Sequence, residues 1–186
     1  MVIATTDSPG PAATLAEEPW RGESLLAGVV RRLAGLDAIV VVVREEAHAG
    51  LVDAIADITV IVDPEWREGR AAPLRVGLDW LTHATEVRAA FIVNLDTPAV
   101  ERAVLQELLD AHAGAEKPVT VPKYRYVRGG PVLLDRDIWP RFLSAEGDLD
   151  LQQILLAHPQ WVTEVRVDRA PPRPIATGDD LLELAG

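Results

Sequence analysis

Cysteine is absent from this 186-residue sequence, and basic residues are few beside acidic ones. Without cysteine, disulfides, thiolate nucleophiles and cysteine-based metal sites are excluded. The four histidines show no HxxxH or HxH spacing, so they predict no metal site either. Against 29 Asp and Glu stand 18 Lys and Arg, for a net charge of −11. This balance argues against a protein that coats nucleic acid, because phosphate neutralisation needs clustered cations. A nucleotide substrate is compatible with it, since that needs only a local positive site.

Long apolar runs are missing as well. The longest, Ala38 to Val43, has the length of a strand and falls far short of the roughly 20 residues of a membrane span. The apolar start, Met1 to Thr6, follows no basic segment and is itself followed by Asp7, so it makes a poor signal peptide. We therefore expect a cytoplasmic protein with no membrane partner.

What the sequence does contain is an alternation of short β-rich runs with amphipathic helical patterns. The continuous β-branched run from Ala38 to Val43 is typical of a central parallel strand covered on both faces. The alternating run 162–167 is typical of an edge strand. Strand–helix alternation favours right-handed crossovers. It predicts one α/β domain over residues 1–186, a Rossmann-like three-layer α/β/α sandwich with a mostly parallel sheet.

The elements of this prediction can be placed along the chain. Ser24 is the expected N-cap of the first helix. The predicted strands are 2–5, 38–43, 58–62, 90–95, 119–121, 132–134 and 162–167, and the predicted helices contain 25–33, 51–55, 74–81, 100–109, 151–155 and 179–184.

Ligands of an open parallel sheet bind beyond the carboxyl ends of its strands, near the switch in strand order. The segments 5–18 and 95–98 fall at such ends. Asp96 directly follows an apolar strand, and Pro98 stiffens the turn after it. A carboxylate there can hold Mg²⁺ while substrate phosphates complete the coordination. Capping of the following helix is the alternative, and the residues alone favour neither.

Three arginines follow the third strand, Arg67, Arg70 and Arg75. They could meet an anion near a helix N-terminus. On the residues alone, ordinary ion pairs in a solvated loop are the preferred interpretation.

The motifs, taken in order, resemble the MobA-like nucleotidyltransferases, which have the nucleotide-diphospho-sugar transferase fold. The resemblance is especially to the branch that contains molybdenum cofactor cytidylyltransferases and nicotine blue oxidoreductase proteins. Each motif is weak alone, but six in the right order make the resemblance specific. They are Pro19-Trp20-Arg21-Gly22, a WxxGxxxSLRxGL pattern from Trp66 to Leu78, the DxP motif Asp96-Thr97-Pro98, Arg128-Gly129-Gly130-Pro131 resembling RGHP, Gly147-Asp148, and Thr177-Gly178-Asp179-Asp180-Leu181.

The resemblance implies a function and a set of site residues. The family transfers a nucleotidyl group from CTP or GTP to molybdopterin, so nucleotide and pterin are the implied partners and Mg²⁺ the implied cofactor. Asp96 matches the metal-binding, catalytic aspartate, and Arg75 matches a second catalytic position. The nucleotide-binding positions that match are Ala4, Ser8, Gly69 and Arg128.

The first loop departs from the family pattern LAAGxSxRMGxPK, which falls without gaps on residues 3–15. Ala4 and Ser8 match, but the four phosphate-binding positions do not: the first glycine is Thr6, the arginine Gly10, the second glycine Ala12 and the lysine Leu15. Glycine lets such a loop present its N–H groups closely to phosphate, whereas Pro9 and Pro11 each remove one donor. Losing even one electrostatic stabiliser typically costs a rate factor of about a hundred or more.

Other positions depart as well. The family serine is Pro73 and the family histidine Gly130, while the two acids of the C-terminal motif fall on Pro174 and Ala176. A second metal carboxylate is therefore missing unless Asp148 or Asp179 replaces it.

Three hypotheses follow. The first is a degenerate family member, with weak or no catalysis, that serves as a binding or assembly factor in molybdenum cofactor metabolism. The second is an active Mg²⁺-dependent molybdopterin cytidylyl- or guanylyltransferase that uses Asp96, Arg75 and Arg128. The third is a dedicated subunit or chaperone that docks on a molybdenum enzyme, which an exposed pair among the five tryptophans would favour. We rank them in that order.

Overall fold

The computed structural model describes residues 2–4, 15–44, 46–63, 71–144 and 151–185. These residues form an α/β structure, and its elements are numbered here in chain order. The strands are β1 (Val2–Ala4), β2 (Pro19–Trp20), β3 (Glu23–Ser24), β4 (Ile39–Val43), β5 (Ile58–Val62), β6 (Ala89–Asn94), β7 (Val119–Tyr124), β8 (Val127–Arg128), β9 (Val132–Asp135) and β10 (Val162–Val167). The helices are α1 (Leu25–Leu33), α2 (Glu46–Ala49), α3 (Ala72–Ala84), α4 (Arg102–His112), α5 (Trp139–Leu143), α6 (Leu151–Ala157) and α7 (Gly178–Ala185).

Eight of the described strands form one sheet in the order β10-β7-β9-β6-β1-β4-β5, with β8 paired to β7. Strands β1, β4, β5 and β6 are parallel neighbours, whereas β9 runs antiparallel to both β6 and β7. The prediction of a mostly parallel sheet is confirmed, with β9 and the short β8 as the reversed members. Strand β10 lies at an edge, as its alternating pattern predicted.

Helices cover both faces of this sheet, because neighbouring residues of a strand point to opposite sides. On β4, Ile39, Val41 and Val43 pack in one core with α1 and α4. Val40 and Val42 pack in the other core with α3 and α5. All five residues of β4 are buried, as expected for a central strand. The three-layer prediction is therefore confirmed.

The prediction of a helix around Leu51 to Ile55 is wrong. The helix there is α2, which ends at Ala49, and the chain continues in turns from Gly50 to Asp57. The Leu51, Val52 and Ile55 N–H groups donate to carbonyls three residues back, and an α-helix requires hydrogen bonds that span four residues. The apolar spacing came from Val52, which is fully buried although it lies in a turn.

Other differences concern position and length. Strand β5 is an edge strand whose residues are all half-buried. The β2–β3 hairpin and helix α5 were not predicted. Ser24 does cap α1, since its Oγ accepts from the Ala27 N–H at 3.3 Å. No helix in the described ranges is long and apolar enough to cross a membrane.

Candidate functional site

The strand order switches between β1 and β6, which is where ligands of such sheets bind. The chain proceeds from β1 through β4 to β5, and then β6 pairs with the other side of β1. Ala4, the last residue of β1, lies opposite Asn94, the last residue of β6. The loop that follows β1 therefore starts at the same edge as the segment that carries Asp96.

A cavity of about 750 Å³ opens at this edge. Its walls come from the end of β6 and the turn after it, the β7–β8 hairpin, the start of β9, helix α6 and strand β10. A volume of this size suits a small-molecule ligand. The described polar residues that line it are Asn94, Asp96, Thr97, Lys123, Tyr126, Arg128, Gln152 and Glu164.

Asp96 lies in the turn between β6 and α4 and is half-buried. Its Oδ1 accepts from the Thr97 hydroxyl at 3.4 Å. Helix α4 begins at Arg102, six residues further on, and the residue before it is Glu101, whose side chain makes no cap hydrogen bond. The helix-cap interpretation of Asp96 is therefore excluded. Asp96 is part of the wall of the cavity.

The C-terminal segment passes directly beside Asp96. The Ile175 N–H donates to the Asp96 carbonyl at 2.7 Å, and Ile175 itself is buried. Pro174 and Ala176, onto which the two acids of the family motif fall, flank this hydrogen-bonded residue. The segment thus lies beside the backbone of Asp96, and it carries a proline and an alanine at the two positions onto which the family's acids fall.

The nearby acids of this segment have other partners. Asp180 Oδ2 accepts from the Ala176 N–H and the Thr177 N–H, each at 3.0 Å, and from the Thr177 hydroxyl at 2.9 Å. These backbone and hydroxyl donors lower the pKa of Asp180. The carboxylate fixes the turn into α7. Asp179 is exposed at the first turn of the same helix. Within the described ranges, no three His, Asp or Glu side chains group together as a metal site would require.

Two cations line the cavity, and one carboxylate forms ion pairs with both. Lys123 on β7 lies directly across from Arg128 on β8. Glu164 on β10 accepts from the Lys123 Nζ and the Arg128 Nε, each at 2.5 Å. The hydrogen bonds from Lys123 and then Arg128 lower the pKa of Glu164. The three side chains together carry a charge of +1, which is little for a site that would hold a triphosphate.

The wall beside Arg128 is held by Tyr124. Its hydroxyl donates to the Gly130 carbonyl at 3.0 Å, next to the cis Gly130–Pro131 peptide bond. Burial raises the pKa of Tyr124 to about 12, so the hydroxyl stays a donor at neutral pH. A Cβ on Gly129 would lie 3.0 Å from the tyrosine ring, which explains a residue without a side chain there.

The structure brings together some of the residues predicted from sequence. Asp96 and Arg128 both line the cavity, and Ala4 ends the strand beside it. Arg75 lies in the first turns of α3, and the described cavity lining includes its neighbour Leu74 but not Arg75 itself. Ser8 and Gly69 lie outside the described residues, as do Arg67, Arg70 and Asp148.

Lys123 and Glu164 were missed by the sequence analysis. The strand carrying Lys123 was expected to end at Val121, but β7 continues to Tyr124. The alternation of β10 placed Glu164 on an exposed face and gave no indication of its partners. Only the pairing of β10 with β7 brings it to the two cations.

The fold and this edge of the sheet define an open α/β protein with a ligand-sized cavity at the switch in strand order. A model of the MobA-like NTP transferase domain matches residues 16–162. The chain therefore belongs to the MobA-like NTP transferase family. The match begins after residues 3–15, the loop whose phosphate-binding positions depart from the family pattern. No protein of curated function matches the sequence.

Solved structures share the fold. Rv0371c from Mycobacterium tuberculosis H37Rv superposes with a TM-score of 0.79 at 24% identity, over 99% of this chain and 95% of that one. A structure of the same protein in complex with manganese superposes with a TM-score of 0.75 at 23% identity, over the same shares of the two chains. A CMP:2-keto-3-deoxy-manno-octonic acid synthetase complexed with CTP superposes with a TM-score of 0.76 at 14% identity, over 99% of this chain and 95% of that one. Molybdopterin-guanine dinucleotide biosynthesis protein A from Archaeoglobus fulgidus superposes with a TM-score of 0.67 at 19% identity, over 99% of this chain and 95% of that one.

Proposed function

We propose that this chain is a degenerate member of its nucleotidyl-transfer family, with weak or no catalysis, that serves as a binding or assembly factor in molybdenum cofactor metabolism. One observation carries the proposal. The segment bonded to the Asp96 backbone presents Pro174 and Ala176 where the family places acids. Asp96 alone can hold a divalent cation only when other ligands, such as phosphate oxygens and water, supply the rest.

The charge of the cavity supports the same proposal. A nucleotidyl transfer site stabilises developing negative charge with cations fixed near the phosphates. Here Lys123 and Arg128 share their charge with Glu164. The arginine and lysine of the family's first loop are Gly10 and Leu15 in this chain. The negative charge of a triphosphate would therefore be only weakly compensated, both at the cavity wall and at the first loop.

The proposed ligands follow from the family and the cavity. A volume of about 750 Å³ has room for a nucleotide or a pterin, so CTP, GTP and a pterin cofactor are the ligands to test. Mg²⁺ is the proposed metal, held by Asp96 together with ligand phosphates. We further propose that residues 1–186 act as one cytoplasmic domain.

The tryptophans bear on the proposed partner. Of the four that the structure describes, Trp20 and Trp139 are buried, and Trp80 and Trp161 are half-buried. The described residues thus provide no exposed tryptophan pair for docking on a molybdenum enzyme. A dedicated chaperone is therefore less well supported than a protein that binds a small ligand.

The proposal is tested by restoring the missing acid. Ala176 is exposed and follows Ile175, which bonds to the Asp96 carbonyl, so Ala176→Asp restores a family acid near Asp96 without disturbing a core. We expect Mn²⁺ binding, followed by electron paramagnetic resonance, to tighten at least tenfold, because a second anionic oxygen joins the first. Ala170→Asp adds the same charge at an exposed site of the same segment and is the matched control.

Two outcomes would contradict the proposal. Tight Mn²⁺ binding by the unaltered protein would mean that a complete metal site already exists. An equal gain in both variants would mean that the added charge acts at long range and not beside Asp96. Asp96→Asn in the Ala176→Asp background should return Mn²⁺ binding to the starting level.

An active nucleotidyltransferase is the second candidate, and one observation favours it. Asp96 and Arg128 line the same cavity, as a working site would require. Under this alternative the protein releases pyrophosphate from CTP or GTP with Mg²⁺, and Asp96→Ala abolishes turnover. Turnover that survives Asp96→Ala would reject it.

A further inference from the structure

A second, smaller cavity lies around the indole ring of Trp20 and shares no lining residue with the large one. Its volume is about 110 Å³, and it is lined by Trp20, Arg21, Glu23, Gly28, Arg31 and Arg32. Three arginines thus meet at one place on a chain whose net charge is −11. Such a concentration of positive charge against the overall balance indicates a local function.

The Trp20 ring is held in place by two glycines. The β2–β3 hairpin turns through Arg21 and Gly22, whose φ angles of 55° and 91° are both positive, as in the tight turns that hairpins favour. The ring then lies on α1 against Gly28, where an added Cβ would come within 2.9 Å of Cε3. Trp20 is 2% exposed. It forms a fixed platform.

Two arginines lie on this platform. The guanidinium carbon of Arg32 is 4.6 Å from the ring centroid and that of Arg21 is 5.3 Å away, both within cation–π range. Neither forms an ion pair with any residue that the structure describes. Burial, and then the charge of Arg21, lower the pKa of Arg32. The two guanidiniums repel one another, and no ion pair of either one among the described residues offsets that repulsion.

The remaining groups complete a receptor for an anion. Arg31 Nε donates to Glu23 Oε2 at 3.0 Å, so Glu23 compensates one of the three cations. The cluster keeps a charge of +2. The Trp20 Nε1–H is buried and has no hydrogen-bond acceptor among the described residues. A buried donor without a partner is costly, so any acceptor oxygen that reached it would be stabilised.

We propose that this cluster binds the dianionic phosphoryl group of a small phosphate monoester or of free phosphate, with Arg21 and Arg32 as its principal ligands. Guanidinium groups match phosphate oxygens with paired, charge-assisted hydrogen bonds. The volume fits a phosphoryl group and excludes a nucleotide, since 110 Å³ corresponds to about four waters at roughly 30 Å³ each. The local charge of +2 selects a dianion over a monoanion such as a carboxylate.

The test is a titration observed by nuclear magnetic resonance at pH 8 and constant ionic strength. Inorganic phosphate is added while the indole N–H of Trp20 and the Nε–H of Arg21 and Arg32 are followed. We expect saturable shifts of these resonances, and at least tenfold weaker binding in Arg32→Gln and in Arg21→Gln. Two variants are used so that a folding defect in one, checked by circular dichroism, leaves the other informative.

Matched controls separate this site from general charge effects. Arg141 lies 5.2 Å from the ring centroid of Trp161, so Arg141→Gln removes a similar cation–π pair elsewhere. Arg128→Gln alters the large cavity instead. Both should bind phosphate at the Trp20 resonances within twofold of the unaltered protein. Failure of the proposed nucleotide site would leave this result unchanged, since the two cavities share no residue.

Three results would overturn the proposal. Shifts that stay linear with phosphate, or that acetate reproduces at equal concentration, would show no dianion site. A loss in Arg141→Gln equal to that in Arg32→Gln would mean that the arginines act through net charge. Glycerol phosphate distinguishes a phosphate monoester from free phosphate as the ligand. We expect its affinity to lie within threefold of that of inorganic phosphate, and its failure to bind would overturn the proposal that the site accepts a monoester.

Discussion

Glu164 is the residue on which the charge of the large cavity depends. Lys123 and Arg128 lie directly opposite one another across two strands, a like-charge pairing that is unfavourable on its own. Glu164 accepts from both and so stabilises the arrangement. The same contact removes positive charge from the site. Stability of the hairpin and affinity for phosphates are therefore opposed at this residue.

Replacing this carboxylate should strengthen nucleotide binding. In Glu164→Gln the two cations keep their places on the cavity wall but lose their counter-charge, so we expect Mg²⁺–CTP or Mg²⁺–GTP to bind severalfold more tightly in calorimetry. Glu116→Gln makes the same charge change at an exposed site outside the cavity. An equal effect of the two substitutions would show that net charge, and not this contact, governs affinity.

The same residue gives a pH dependence. Because the Lys123 and Arg128 hydrogen bonds lower the folded-state pKa of Glu164, its contribution to stability is fully present above the unfolded-state value of about 4.3. That contribution is lost as the pH falls through the lowered pKa. We expect the stability difference between the unaltered protein and Glu164→Gln to shrink below about pH 4.3. Urea unfolding between pH 3 and 6 measures it, and a constant difference would contradict the assignment.

Among the elements, helix α1 depends on a glycine in its interior. Alanine is normally preferred to glycine in a helix by about 1 kcal/mol. At position 28, however, the new Cβ would meet Cε3 of Trp20 at 2.9 Å, and a buried indole ring has little room to move. We expect Gly28→Ala to destabilise the protein by about 1–3 kcal/mol despite its better helix propensity.

A matched substitution provides the control. Gly114, just after α4, has nothing within 4 Å of an added Cβ, so Gly114→Ala should leave the midpoint of urea unfolding nearly unchanged. If Gly28→Ala proved as stable as Gly114→Ala, the packing of Trp20 on α1 would be wrong.

The sequence predicted those elements whose burial repeats with a clear period. The five β-branched residues of β4 and the apolar positions of α3 follow from patterning alone, and Ser24 was recognised as a cap by its side chain. The direction of β9 could not be predicted, because Val132, Leu133 and Leu134 have the same pattern whichever way the strand runs. Helix α5 was missed because it is five residues long and has a proline in its first turn.

The candidate site divides in the same way. Asp96 was identifiable because it directly follows a buried strand, and the switch between β1 and β6 places it at the cavity. The ion pairs of Glu164 could not be identified from the sequence, because they depend on which strand lies beside β10. The cluster of Arg21 and Arg32 could not be identified either, since the two residues are eleven positions apart and meet at the Trp20 ring.

For the whole molecule, a family fold is combined with an altered site. The family model establishes the family, and solved structures share the fold. Beside Asp96, the C-terminal segment provides Pro174 and Ala176, and the cations that line the cavity are bound to Glu164. The scaffold and its cavity are present, while the groups that would stabilise charge during nucleotidyl transfer are few. Binding without efficient transfer is what we propose for this chain.

The most direct test is the rate of pyrophosphate release from CTP and GTP with Mg²⁺ and molybdopterin. Losing a single electrostatic stabiliser costs about a hundredfold or more. We therefore predict that the unaltered protein and Asp96→Ala release pyrophosphate at the same rate, indistinguishable from the reaction without protein. Steady turnover by the unaltered protein that Asp96→Ala abolishes would contradict the account.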